Sequence, residues 1–104
     1  MPAARISLAR SAVTDIEDIR SWYAAQGASD TGSRLVGEIL ARIAGLADLP
    51  DMGRVVPEFG QAYLRELIHP PYRIVYRRDD PARVRIVRVW RGERRLTLPD
   101  PSTR

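Results

Sequence analysis

The chain's chemistry is concentrated in its arginines. The stretch "HPPYRIVYR" (residues 69–77) sets Arg73 and Arg77 in an otherwise apolar run, directly after the sole histidine and two prolines. Arg65 precedes them, and Arg91, Arg94 and Arg95 follow in "WRGERR". A guanidinium is planar, permanently charged, and offers a fork of donors that matches carboxylate or phosphate. Arginines gathered on one surface therefore hold an anion, and beside a reacting phosphate they stabilise the charge it gains. Proton transfer would also need a base and an acid. The nearby titratable groups are His69, Glu93, Tyr72 and Tyr76. His69 reads first as a turn residue, Glu93 between arginines as a salt-bridge partner, and the two tyrosines as core. With no cysteine and one histidine, disulfides and cysteine-ligated metals are excluded, and a histidine-based metal site is not expected. No cofactor is expected either.

The chain has 104 residues, 44% of them hydrophobic, which suits one domain with one core. That domain is expected to span 1–104, with its core at about 5–98 and a short C-terminal tail. No run of apolar residues is long enough to span a membrane. "MPAARISLAR" lacks the apolar segment of a secretion signal, so cytoplasmic residence is the expectation. All seventeen basic residues are arginine, and the formal charge is +4. The charge is polarised: residues 54–95 hold eleven arginines against five acids, whereas residues 1–53 hold five against seven. Genome composition accounts for arginine replacing lysine, but not for this polarity. A basic C-terminal half points to an anionic partner, either nucleic acid or an acidic protein segment.

The elements that must position these arginines follow from periodicity. "ARISLA" (4–9) alternates and predicts a short strand. Val13, Ile16, Ile19 and Tyr23 make one helical stripe, with Ser11 as N-cap and Gly27 as stop. Trp22 lies at the stripe's edge. A second helix is predicted over about 29–48, through Leu35, Val36, Ile39, Leu40, Ile43 and Leu46. The short junction implies an antiparallel helical hairpin. Residues 50–61 read as a loop, with Met52 and Phe59 as lids over the core edge. Strands are predicted at about 62–68, 72–78 and 83–90, with turns at Pro70-Pro71 and Asp79-Asp80-Pro81. A short edge strand could follow at 95–98. Helices segregated from a run of strands predict an α+β fold: a helical hairpin on one face of an antiparallel sheet of about four strands.

Strand alternation puts Tyr72, Ile74 and Tyr76 on one face and Arg73, Val75 and Arg77 on the other. On the last strand, Val84 and Ile86 share one face, and Val87 and Val89 the opposite one. Both faces are thus partly apolar, which makes this strand central. The Arg73 face is expected to be open to solvent, with Arg65 joining it according to register and Arg91 and Arg94 at its rim. The plainer alternative is that these arginines solvate an exposed face and pair with Glu66 and Glu93. Trp90 reads as packing, or as a stacking platform beside Arg91.

The ordered set "AVTDIEDIRSWYA", "LADLPDMGRVVPE", "LRELIHPPYRIVYR" and "VRIVRVWRGERRL" resembles the RelE/ParE superfamily of toxins from type II toxin–antitoxin pairs. The resemblance covers about residues 5–98. It implies a growth-inhibiting toxin neutralised by a cognate antitoxin, whose segment would bring acids and apolar anchors to the basic face. One branch of the superfamily cleaves ribosome-bound mRNA, and the other inhibits DNA gyrase. On the nuclease reading, the resemblance places Arg73 on the scissile phosphate and Arg94 beside it, with Glu93 and His69 as acid–base candidates. On either reading, Arg65, Arg73, Arg77, Arg91, Arg94 and Trp90 form the target or antitoxin surface. The chain departs from the nuclease pattern: it has no lysine, and its tail "LTLPDPSTR" carries no His-Tyr pair. The long hairpin and its "PDMGRVVPE" exit resemble the ParE-like branch, so gyrase is the expected target and the RelE-like endonuclease the alternative. A small basic nucleic-acid-binding module is a third reading.

Overall fold

The structure, a computed structural model, describes residues 3–92. Glu93, Arg94, Arg95 and the strand expected at 95–98 lie outside the described residues. The element order is β1 (Arg5–Leu8), α1 (Arg10–Ala25), α2 (Ser29–Gly45), β2 (Arg54–Val55), β3 (Leu64–His69), β4 (Tyr72–Asp80) and β5 (Arg83–Arg91). The α+β class and the helical hairpin on a sheet are as the periodicity predicts. The sheet differs in detail. It has five strands in the order β1-β5-β4-β3-β2, and β1 pairs with β5 in parallel. The extra strand is β2, a two-residue segment inside the expected loop. No helix among the described residues is long and apolar enough to cross a membrane.

The main core lies between the helices and one sheet face. It holds Ile16, Ile19, Leu35, Val36, Ile39 and Ile43 against Leu67, Tyr72, Ile74, Tyr76, Val84, Ile86 and Val89. The helices approach closely at Gly32, where a Cβ would stand 2.8 Å from the Tyr23 Cβ. Gly27 ends the first helix with a φ of +73°, a conformation glycine adopts without steric cost.

Alpha1 begins one residue before Ser11, at Arg10. Ser11 is therefore not the N-cap. Beta1 stops opposite Ile86 and leaves the β5 edge beyond it unpaired, and Ser11 meets that edge instead. Its hydroxyl donates to the Val87 carbonyl at 2.6 Å. One turn later, Asp15 accepts the Val89 N–H at 2.8 Å and the Arg88 guanidinium at 2.7 and 2.9 Å. Helix side chains thus satisfy the strand backbone where β1 runs out.

A register shift between Val75 and Tyr76 corrects the expected faces of β5. Ile74 pairs with Val89, yet Tyr76 pairs with Ile86. One extra residue is accommodated on β5, as in a β-bulge. Val89 therefore returns to the helix-side core with Val84 and Ile86, while Val87 packs on the opposite face.

Candidate functional site

The sheet face opposite the helices was expected to be open. Half of it is covered. Val56, Leu64, Val75 and Trp90 form a second small core, with Phe59 and Val87 packed against it. Residues 56–59, between β2 and β3, fold over this face because Val56 and Phe59 have apolar partners there. Phe59 is the lid the sequence suggested, whereas Met52 is exposed.

The cover brings Glu58 onto Arg73. Arg73 is only 7% exposed. Its Nη1 and Nη2 donate to the two Glu58 oxygens at 2.7 and 2.8 Å, and its Nε donates to Glu66 Oε1 at 2.6 Å. Glu66 is 1% exposed and also accepts Arg54 Nε at 2.7 Å. Two carboxylates and two guanidiniums therefore balance in charge. The fork-to-fork hydrogen bonds from Arg73 hold the Glu58 carboxyl at a pKa of about 2, well below its ordinary 4.5. The same bonds, followed by those to Glu66, push the Arg73 pKa up. Arg73 is thus not the open-face cation that alternation suggested. Of its partners, Glu66 was named in the plainer alternative; Glu58 was not foreseen.

The remaining candidates divide between the two faces. Arg65 pairs in register with Tyr76 and shares its face, away from Arg73. It donates to the Gly53 carbonyl at 3.0 Å and the Ala62 carbonyl at 3.1 Å, tying down the segments before β2 and before β3. Arg91 pairs with Tyr72, again on the helix side, with its guanidinium 5.8 Å from the Tyr72 ring centroid. Trp90 does neighbour Arg73 across the strands and is buried as packing, with Arg88 stacked 4.1 Å from its ring. Arg77 lies on the Arg73 face, bonded to Asp79 at 2.9 Å. That hydrogen bond, foremost among the causes, lowers the Asp79 pKa. His69 ends β3 beside the cis Pro70–Pro71 turn, and its Nε2 lies 3.0 Å from Glu38 Oε1 on α2. That contact, ahead of the Arg34 bond, lowers the Glu38 pKa. Glu93 and Arg94 lie outside the described residues.

Tyr72 and Tyr76 are buried, as expected. Burial raises both hydroxyl pKa values, foremost among the causes. The Tyr76 hydroxyl donates to the Pro50 carbonyl at 2.8 Å and accepts the Gly53 N–H at 2.9 Å. Neither tyrosine lies on the Arg73 face. The described candidates therefore do not converge on one reaction centre. No group of three or more potential metal-ligating side chains occurs among the described residues.

Residues 6–96 match the family model described as the ParE toxin of the type II toxin–antitoxin system parDE. No curated protein matches the chain by sequence. Among solved structures, the chromosomal ParDE toxin–antitoxin system of P. aeruginosa superposes with a TM-score of 0.72 at 19% identity, covering 88% of this chain and 98% of that one. The toxin–antitoxin complex RelBE2 of Mycobacterium tuberculosis gives 0.63 at 18% identity, covering 88% and 99%. At these identities the two structures show a shared fold.

Proposed function

This chain belongs to the ParE toxin family of type II toxin–antitoxin systems, and from that premise we propose that it inhibits DNA gyrase and is neutralised by a cognate antitoxin. The family match over residues 6–96 carries the reading. The state of Arg73 supports it over mRNA cleavage. A guanidinium that must meet a scissile phosphate needs open donors, and this one spends them on Glu58 and Glu66. Of the acid–base candidates among the described residues, His69, Tyr72 and Tyr76 all lie on the other face, and the carboxylates that do stand beside Arg73 are taken up in pairing with it. The toxin on this reading acts by binding, with no chemistry of its own. The ParDE neighbour supports an antitoxin partner by likeness of fold.

The test is purified toxin in two assays. Loss of gyrase supercoiling or accumulation of gyrase-cleaved DNA, relieved by the antitoxin, is the expected result. Codon-positioned cleavage of translated mRNA with gyrase unaffected would transfer the chain to the endonuclease reading.

A further inference from the structure

The uncovered part of the Arg73 face carries a cluster of arginines of which the toxin reading uses only Arg77. Three adjacent strands contribute: Arg77 from β4, Arg83 and Arg85 from β5, and Arg5 from β1. Val84 and Ile86 are buried in the helix-side core, so Arg83 and Arg85 project to the opposite face. Ile6 packs on the same core, so Arg5 and Ser7 project with them. The register sets Arg77 directly opposite Arg85, and Arg5 directly opposite Arg83. Arg5, Arg83 and Arg85 are exposed.

Like charges facing across strands destabilise a sheet. Here two such pairs stand next to each other with little compensation. Arg77 has Asp79 at 2.9 Å, and Arg83 reaches Asp80 only at 4.0 Å. Arg85 meets a neutral hydroxyl, Ser7 Oγ, at 3.3 Å. Neither Arg5 nor Arg85 has a carboxylate partner among the described residues. Neighbouring strands lie about 4.8 Å apart and alternate residues about 6.7 Å apart, so the four arginines form one cationic patch.

We propose that this patch binds the phosphate backbone of duplex DNA without reading its sequence. Charge complementarity favours a dense polyanion. The patch offers guanidinium forks for phosphate oxygens. Its one exposed aromatic neighbour, Tyr63, already lies under Arg77 at 5.0 Å. It therefore lacks the stacking platforms on which single strands are held. The inference stands apart from the gyrase reading, because it needs neither gyrase nor the Arg73 network.

The experiment measures fluorescence anisotropy of labelled duplex DNA of arbitrary sequence with the free full-length toxin across a salt series. Each phosphate contact contributes about 0.9 to the slope of log K against log salt, so Arg5→Ala with Arg85→Ala lowers the slope by about 1.8 and weakens binding at low salt by at least about tenfold. Removing facing like charges leaves the melting temperature equal or higher, which shows that the variant is folded. Arg20→Ala, on the helix side, leaves the slope unchanged. Absence of duplex binding, an unchanged slope in the double variant, an equal loss in Arg20→Ala, or tighter binding to single-stranded RNA or poly-glutamate would each overturn the proposal.

Discussion

Glu58 grips Arg73 through both terminal nitrogens, at 2.7 and 2.8 Å. The contact joins the segment between β2 and β3 to the centre of the sheet. It makes the cover over the second core sensitive to acid. The Glu58 pKa is lowered from 4.5 to about 2. A carboxyl whose folded pKa is depressed contributes its stability above the unfolded value, and loses it as pH falls through the folded one.

Thermal unfolding followed across pH should therefore show a Glu58-dependent loss of stability between about pH 4.5 and pH 2. The Glu58 side chain is 38% exposed, so solvent screening limits the effect to about 1 kcal/mol. Glu58→Gln should match the wild type near pH 2 and fall below it near neutrality. Parallel curves at all pH values would show that the pair contributes nothing.

Arg73 and Glu66 should behave as one unit. Removing one partner of a buried pair leaves the other charge stranded, at about 3–5 kcal/mol. Arg73→Met should lower the urea-unfolding free energy by that order, because Glu66 is 1% exposed and retains only Arg54. Glu66→Gln added to Arg73→Met should cost much less than the two single losses together, since no buried charge then remains. Strict additivity in this double-mutant cycle would refute the coupling.

This pair also shows how far the sequence could be read. The element order, the strand centres and the tyrosine–isoleucine core face were legible, because alternation and helical spacing report burial directly. The face of Arg65 stayed open in the sequence because the face of a β3 residue depends on its register with β4, which no local pattern states; the register sets it beside Tyr76. The cover over Arg73 was invisible for a similar reason. "PDMGRVVPEFG" reads as a loop by its Pro and Gly, and only the tertiary fold decides that Val56 and Phe59 lie down on the sheet. The two apolar residues bracketing Glu58 in "VPEF" are the one local trace. The bulge on β5 left no mark either, so Val89 was set on the wrong face.

The loop entering β2 has a packing requirement of its own. A Cβ on Gly53 would stand 2.7 Å from the Glu66 carbonyl oxygen and 2.7 Å from both Cε1 and the hydroxyl of Tyr76. None of these atoms can retreat easily, since Tyr76 is fully buried and its hydroxyl is bonded to Pro50 and Gly53. Gly53→Ala should therefore cost about 1–3 kcal/mol, the range for overpacking a filled site. Gly37 supplies the contrast. It lies within α2, and nothing stands within 4 Å of a Cβ built there. Gly37→Ala should stabilise by about 0.5–1 kcal/mol through helix propensity alone. Denaturant unfolding of the two variants side by side checks both signs. A neutral Gly53→Ala would mean that the loop can withdraw from Tyr76 at no cost, and that the hydroxyl contacts do not hold it.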